Sequence, residues 1–217
     1  MPSRFTACIA LVLACAAAAH AAELKVSVKD HKGKGVADAV ILAVPVDPRN
    51  AQHVRPQPDA VDQVDKEFVP YVKPIFVGST VRFPNSDNIR HQVYSFSPVK
   101  KFELPLYGGT NAPPVTFDKP GVVILGCNIH DWMIGYVYVA DSPYFAVTQD
   151  DGKADLRDLP AGDYSVRVWH PGLHGSEEST ARRLTVSTPA SQTEFHLSIK
   201  PSPRVPRLSG SSAAAYP

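Results

Sequence analysis

Cysteine is scarce in this chain: only Cys8, Cys15 and Cys127 occur, and two of them fall in the first 22 residues. Excess charge is lacking too, because 22 Lys and Arg face 21 Asp and Glu, a formal net charge of +1. That balance argues against a protein that neutralises nucleic-acid phosphates or an anionic membrane surface. Glycine (13) is outnumbered by proline (21) and runs of strong helix formers are missing, which favours strands and turns. Beyond residue 22 no apolar run approaches the about 20 residues that cross a bilayer, so no membrane span is expected there.

What is present begins with the pattern of an export signal. Residues 1–22 combine Arg4, an apolar stretch over 5–19 and the small-residue sequence Ala19-His20-Ala21. Val12-Leu13-Ala14-Cys15 also partly resembles a lipobox, with only a short apolar run before it. Cleavage near Ala22 would send the protein to the periplasm and remove Cys8 and Cys15. Cys127 is then the single thiol, with no internal disulfide open to it. A lone thiol in an oxidising compartment is a liability unless something occupies it.

Hydrophobic patterning predicts an all-β chain. Residues 24–46 read as a strand, a turn at Gly33 and Gly35, and a buried apolar strand, while 47–58 read as a linker. Within 60–141 strands are expected at 67–71, 73–76, 80–84, 91–96, 121–125 and 136–139, with a long loop over 101–116, a small Greek-key sandwich pattern. Further short strands are expected at 146–148, 153–156, 164–169, 182–186 and 193–199. Residues 200–217, rich in Pro, Ser and Ala, have nothing to bury and read as a disordered tail.

The chemistry concentrates in Cys127-Asn128-Ile129-His130-Asp131-Trp132-Met133-Ile134-Gly135, where a thiolate, an imidazole and a thioether fall between two strands. One metal ion can draw on all three. A Cys and two His with a weak Met is the donor set of blue copper, because soft sulfur suits Cu(I) and imidazole suits both oxidation states. His91, beginning the expected strand at 91–96, is the candidate second imidazole, and Asn85 is placed to pin its loop. Zinc is the rival ion, although thioether is not among its usual ligands. Ile129, Trp132 and Tyr136 around His130 suggest an apolar docking patch, and His170 and His174 read as surface residues of a Pro/Gly loop.

On Phe83, Asn85, His91 and the Cys-x-x-His-x-x-Met-x-Gly spacing ending at Gly135, residues from about 65 to 139 resemble the cupredoxin family, with a ligand loop most similar to that of amicyanins. The resemblance implies a Greek-key cupredoxin sandwich and one type 1 copper ion on His91, Cys127, His130 and Met133. It also implies single-electron transfer between redox protein partners, which would dock near His130 and Trp132. Ile129 and Asp131 stand beside His130 where such loops carry Pro, and Gln92 follows His91 where Asn is usual. The whole chain is also similar to cupredoxin-like proteins often labelled methylamine utilization proteins.

Asp150-Asp151-Gly152, Pro160-Ala161-Gly162 and Tyr164 to Trp169 resemble carboxypeptidase regulatory-like, transthyretin-type sandwiches, and so does the strand-turn-strand at 24–46. The expected organisation is therefore a cupredoxin domain at 60–141 inserted into a second small β-sandwich made of 24–46 and 142–199. No nucleophile and base stand in register, so no enzyme is expected. A periplasmic copper chaperone or buffer is the alternative to the electron carrier.

Overall fold

The computed structural model describes residues 22–200. The signal segment, apart from Ala22, and the tail beyond Lys200 lie outside the described residues. β1 (Ala22–Asp30) and β2 (Val40–Pro45) are followed by a 3-10 turn at Pro48–Asn50, capped by the Asp47 carboxylate on the Arg49 amide. The middle of the chain supplies β3 (Asp59–Ala60), β4 (Asp62–Val64), β5 (Glu67–Val69), β6 (Val72–Phe76) and β7 (Thr80–Arg82). Next come β8 (Tyr94–Ser95), β9 (Phe102–Glu103), β10 (Val115–Thr116), β11 (Gly121–Gly126) and β12 (Ile134–Ala140). The last strands are β13 (Tyr144–Val147), β14 (Lys153–Leu159), β15 (Gly162–Trp169), β16 (Arg182–Val186) and β17 (Ala190–Leu197). No helix among the described residues is long and apolar enough to cross a membrane.

The fold is an all-β stack of sheets. β1 pairs with β14 and, in parallel, with β17, while β2 lies between β13 and β15, which in turn pairs with β16. Neither β1 nor β2 pairs with any strand from β3 to β12 among the described residues. The middle strands form a sheet in the order β6-β12-β11-β8-β9 and a smaller one in the order β10-β7-β3.

Side-chain alternation explains the stacking. In β1, Ala22, Leu24, Val26 and Val28 turn inward, and the residues between them face out. They meet Ile41, Ala43, Leu156, Tyr164, Val166 and Phe195 in one core. A second core holds Phe68, Val81, Phe83, Val123, Leu125, Val137 and Val139. β2 and β12 are apolar on both faces because each separates two cores: Val40, Leu42, Tyr136, Tyr138 and Ala140 fill a third layer between the two sandwiches. Trp169 closes that layer with ring centroids 5.6 Å from both Tyr136 and Tyr138.

Two expectations are corrected here. Residues 91–96 do not run as one strand: His91 makes an isolated bridge to Tyr107, and only Tyr94 and Ser95 pair as β8. His170 is not a surface residue, since it is 8% exposed and accepts the Gly172 amide on Nδ1 at 2.9 Å. Burial lowers its pKa to about 4, against the opposing effect of a hydrogen bond with the Ala37 backbone.

Candidate metal centre

The segment from Cys127 to Met133 is the connection between β11 and β12, whose antiparallel register closes with Gly126 opposite Ile134. β11 also pairs through Gly126 with Tyr94 of β8, so the chain just before β8 lies at the same end of the sheet. That neighbour contains His91. The ligand-type atoms of His91, Cys127 and His130 all lie within 4.8 Å of one another, the only such group of three among the described residues. The Cys127 sulfur is 3.7 Å from His91 Nδ1 and 3.9 Å from His130 Nδ1.

All three are buried: His91 is fully enclosed, Cys127 is 3% exposed and His130, nearest the surface, is 9% exposed. Met133 is buried in the same apolar cluster as Cys127, and its amide donates to the His130 carbonyl at 2.9 Å, tightening the loop. Gly135 is required by packing, because a Cβ there would sit 2.7 Å from the Cβ of Phe68. Two imidazoles and a thiol sharing a buried site do not form an ordinary hydrophobic core, whereas the donor set suits a soft transition-metal ion.

A polar scaffold holds His91 in place. Asn85 donates through Nδ2 to the carbonyls of Ile89 (2.8 Å) and Tyr107 (3.0 Å) and accepts the Asp87 amide, while His91 and Tyr107 exchange backbone hydrogen bonds. Behind them Gln63 donates to the Tyr107 hydroxyl, which donates to the Phe83 carbonyl. Burial pushes the Tyr107 phenol up to about 12, so it keeps the proton it donates.

Asp87 is the functional neighbour that sequence reasoning missed. Its carboxylate accepts from His91 Nε2 at 2.7 Å and from the amides of Asp65 (2.6 Å) and Lys66 (2.8 Å). Those two residues form the β4–β5 hairpin turn with positive φ values of 53° and 63°. Burial pushes the Asp87 carboxyl up, but the Lys66 amide, the His91 ring and the Asp65 amide outweigh it and hold it below the usual carboxylate value. A carboxylate can only accept, so Nε2 is the donor of this pair and Nδ1 is the ring atom that faces the thiol. An Asp four residues before a His gives no periodic signal in a loop; only the folded turn brings the two together.

The surface near His130 is apolar. Trp132 is 42% exposed with its ring 5.2 Å from that of His130, and Ile129 is 50% exposed. Tyr136 does not belong to this patch: as alternate β12 residues face opposite ways, it is buried in the layer between sandwiches, 5.4 Å from Tyr71 between ring centroids. His174 lies on the second sandwich, bonded through its amide to Ser198, and joins no three-donor group among the described residues.

No protein-family model matches the chain, and no curated relative matches it either. Among solved structures, it is similar to a copper-containing nitrite reductase from Thermus scotoductus SA-01 at 32% identity, over 44% of this chain and 27% of that one, with a TM-score of 0.37. A purple cupredoxin from Nitrosopumilus maritimus is 23% identical over 37% of this chain and 95% of its own, with a TM-score of 0.33. A reduced amicyanin variant is 24% identical over 47% and 98%, with a TM-score of 0.35. The chain spans about a quarter of the reductase's length, and each similarity covers less than half of this chain.

Proposed function

We propose that this protein is a blue copper electron carrier of the periplasm, with one copper ion held by His91, Cys127, His130 and Met133. The observation that carries the reading is the convergence of two imidazoles and the only described thiol within 4.8 Å in a buried pocket. When bound, copper supplies a site that gains or loses one electron at a time. The residues' own task is to stay still. Asp87 fixes the His91 ring, the Met133-to-His130 hydrogen bond fixes the loop, and the flanking β11 and β12 are ladder-paired along their length. A site that keeps one shape for both oxidation states needs little reorganisation per electron.

His130 at the site's outer edge, beside exposed Trp132 and Ile129, favours this face for docking of redox protein partners. Four protein ligands would leave no open coordination position, so the role is carriage and not turnover. The organisation we propose is a metal-binding sandwich at 60–141 carried by a second sandwich of 24–46 and 142–199. It is supported by the pairing of β1 and β2, among the described residues, with strands from β13 to β17 alone. Export rests on the sequence pattern of residues 1–22.

The test is optical and electrochemical. Copper added to the purified protein should give an intense visible absorption from thiolate-to-Cu(II) charge transfer, reversible on reduction and absent in Cys127→Ser. A colourless protein that binds copper and surrenders it readily would overturn the carrier reading in favour of copper delivery. Survival of the colour in Cys127→Ser would refute the ligand assignment.

A further inference from the structure

Two of the exposed apolar side chains of the metal-site region lie together. Phe96 is 72% exposed and Ile124 is 47% exposed, and both line one groove of about 410 Å³ together with Tyr94, Pro98, Met133 and Ile134. Cys127 and Asp131 also border it. Tyr94 and Phe96 stand two positions apart, with ring centroids 4.9 Å from each other and planes at 39°. The Tyr94 ring spreads over Gly126, its pairing partner on β11, where a Cβ would come within 2.7 Å of the ring. Gly126 therefore leaves room for a flat aromatic surface beside the thiol.

Two polar groups border this apolar groove without a protein partner. Among the described residues, neither the Tyr94 hydroxyl nor the exposed Asp131 carboxylate has a hydrogen bond or an ion pair. One is a donor and acceptor, the other an acceptor only. A phenolic hydroxyl can donate to the carboxylate or exchange a hydrogen bond with the tyrosine, and its ring suits the apolar wall; an ammonium group could donate to either oxygen but would give up more hydration against that wall.

We propose that this groove binds a small planar phenol, its ring against Phe96 and Tyr94 and its hydroxyl toward Asp131. The volume falls within the roughly 300–1,000 Å³ of small-molecule pockets, and a mainly apolar wall with few polar groups is their usual lining. A bound phenol would lie beside Cys127 and Met133, but its binding depends on the groove's own wall and not on a metal.

The test uses 2-naphthol, titrated into the metal-free protein and followed by amide chemical shifts and by naphthol fluorescence. Saturable binding is expected, with the largest shifts at Tyr94, Phe96 and Ile124. Phe96→Ser, at a site too exposed to matter for folding, should weaken it at least about tenfold, and Tyr94→Phe severalfold, while Leu106→Ser, an exposed site outside the groove, leaves it unchanged. Absence of saturation, equal losses in Phe96→Ser and Leu106→Ser, or shifts centred on Ile129 and Trp132 would overturn the proposal. Naphthol binding by a protein that takes up no copper would leave the groove standing and sink the metal assignment, so the two readings fail separately.

Discussion

His91 is held from both sides of its ring: Nε2 meets the Asp87 carboxylate at 2.7 Å while Nδ1 faces the Cys127 sulfur at 3.7 Å. One imidazole thus links a buried thiol to a carboxylate that also closes the β4–β5 turn. Metal-ligating histidines whose far nitrogen is anchored in this way lose about 10- to 100-fold in metal affinity when the anchor is removed. Asp87→Asn keeps the shape and removes the charge, and copper affinity measured by chelator competition should fall by that order. Unchanged affinity would show that the pair only braces the turn.

Asp87→Ala should act on stability as well, because the Asp65 and Lys66 amides lose their acceptor together. Asp65 is exposed and Lys66 half-buried, so water replaces the lost acceptor in part and the two hydrogen bonds together are worth about 1–3 kcal/mol. The metal-free variant is expected to melt several degrees below Asp87→Asn, as followed by circular dichroism.

Gly135→Ala should destabilise the fold by about 1–3 kcal/mol, since the new methyl must displace Phe68, which is 1% exposed and has nowhere to go. Because β12 follows directly on Met133, denaturant unfolding of the metal-free protein separates this packing effect from any effect on the metal. A midpoint equal to that of the parent would show that the two strands part more easily than their contacts imply.

His170 makes stability pH-dependent. Its folded pKa is lowered from 6.5 to about 4, so the unfolded chain takes up the proton first as pH falls. The contribution is complete above about pH 6.5 and is lost progressively down to about pH 4. Replacing His170 with Gln should flatten the fall in melting temperature across that window relative to the parent. A parallel pair of profiles would contradict the burial argument.

Trp169→Ala tests the layer between the sandwiches. It removes a ring that contacts both Tyr136 and Tyr138, and a loss of about 3 kcal/mol is expected. If the two sandwiches lean on this layer, the variant should unfold in two steps where the parent unfolds in one, as scanning calorimetry would reveal.

The sequence alone carried what short-range chemistry can carry. Cys127, His130 and Met133 fall within one connection between strands, so their proximity was legible from spacing, and the apolar run of β2 announced its burial. The alternation of β1 likewise predicted its inward row. Other features depended on chain segments meeting from afar. His91 reaches the thiol only because β8 pairs with β11, and Asp87 reaches His91 only because an irregular loop folds back over the β4–β5 turn. Tyr136 looked like a neighbour of the site and is instead turned into the interlayer core by strand alternation, while His170, in a Pro/Gly loop, is buried and hydrogen-bonded with the distant Ala37 backbone. Local pattern fixes which residue types stand ready for chemistry; which of them face one another is decided by strand pairing and by the closing of cores, which no window of neighbouring residues contains.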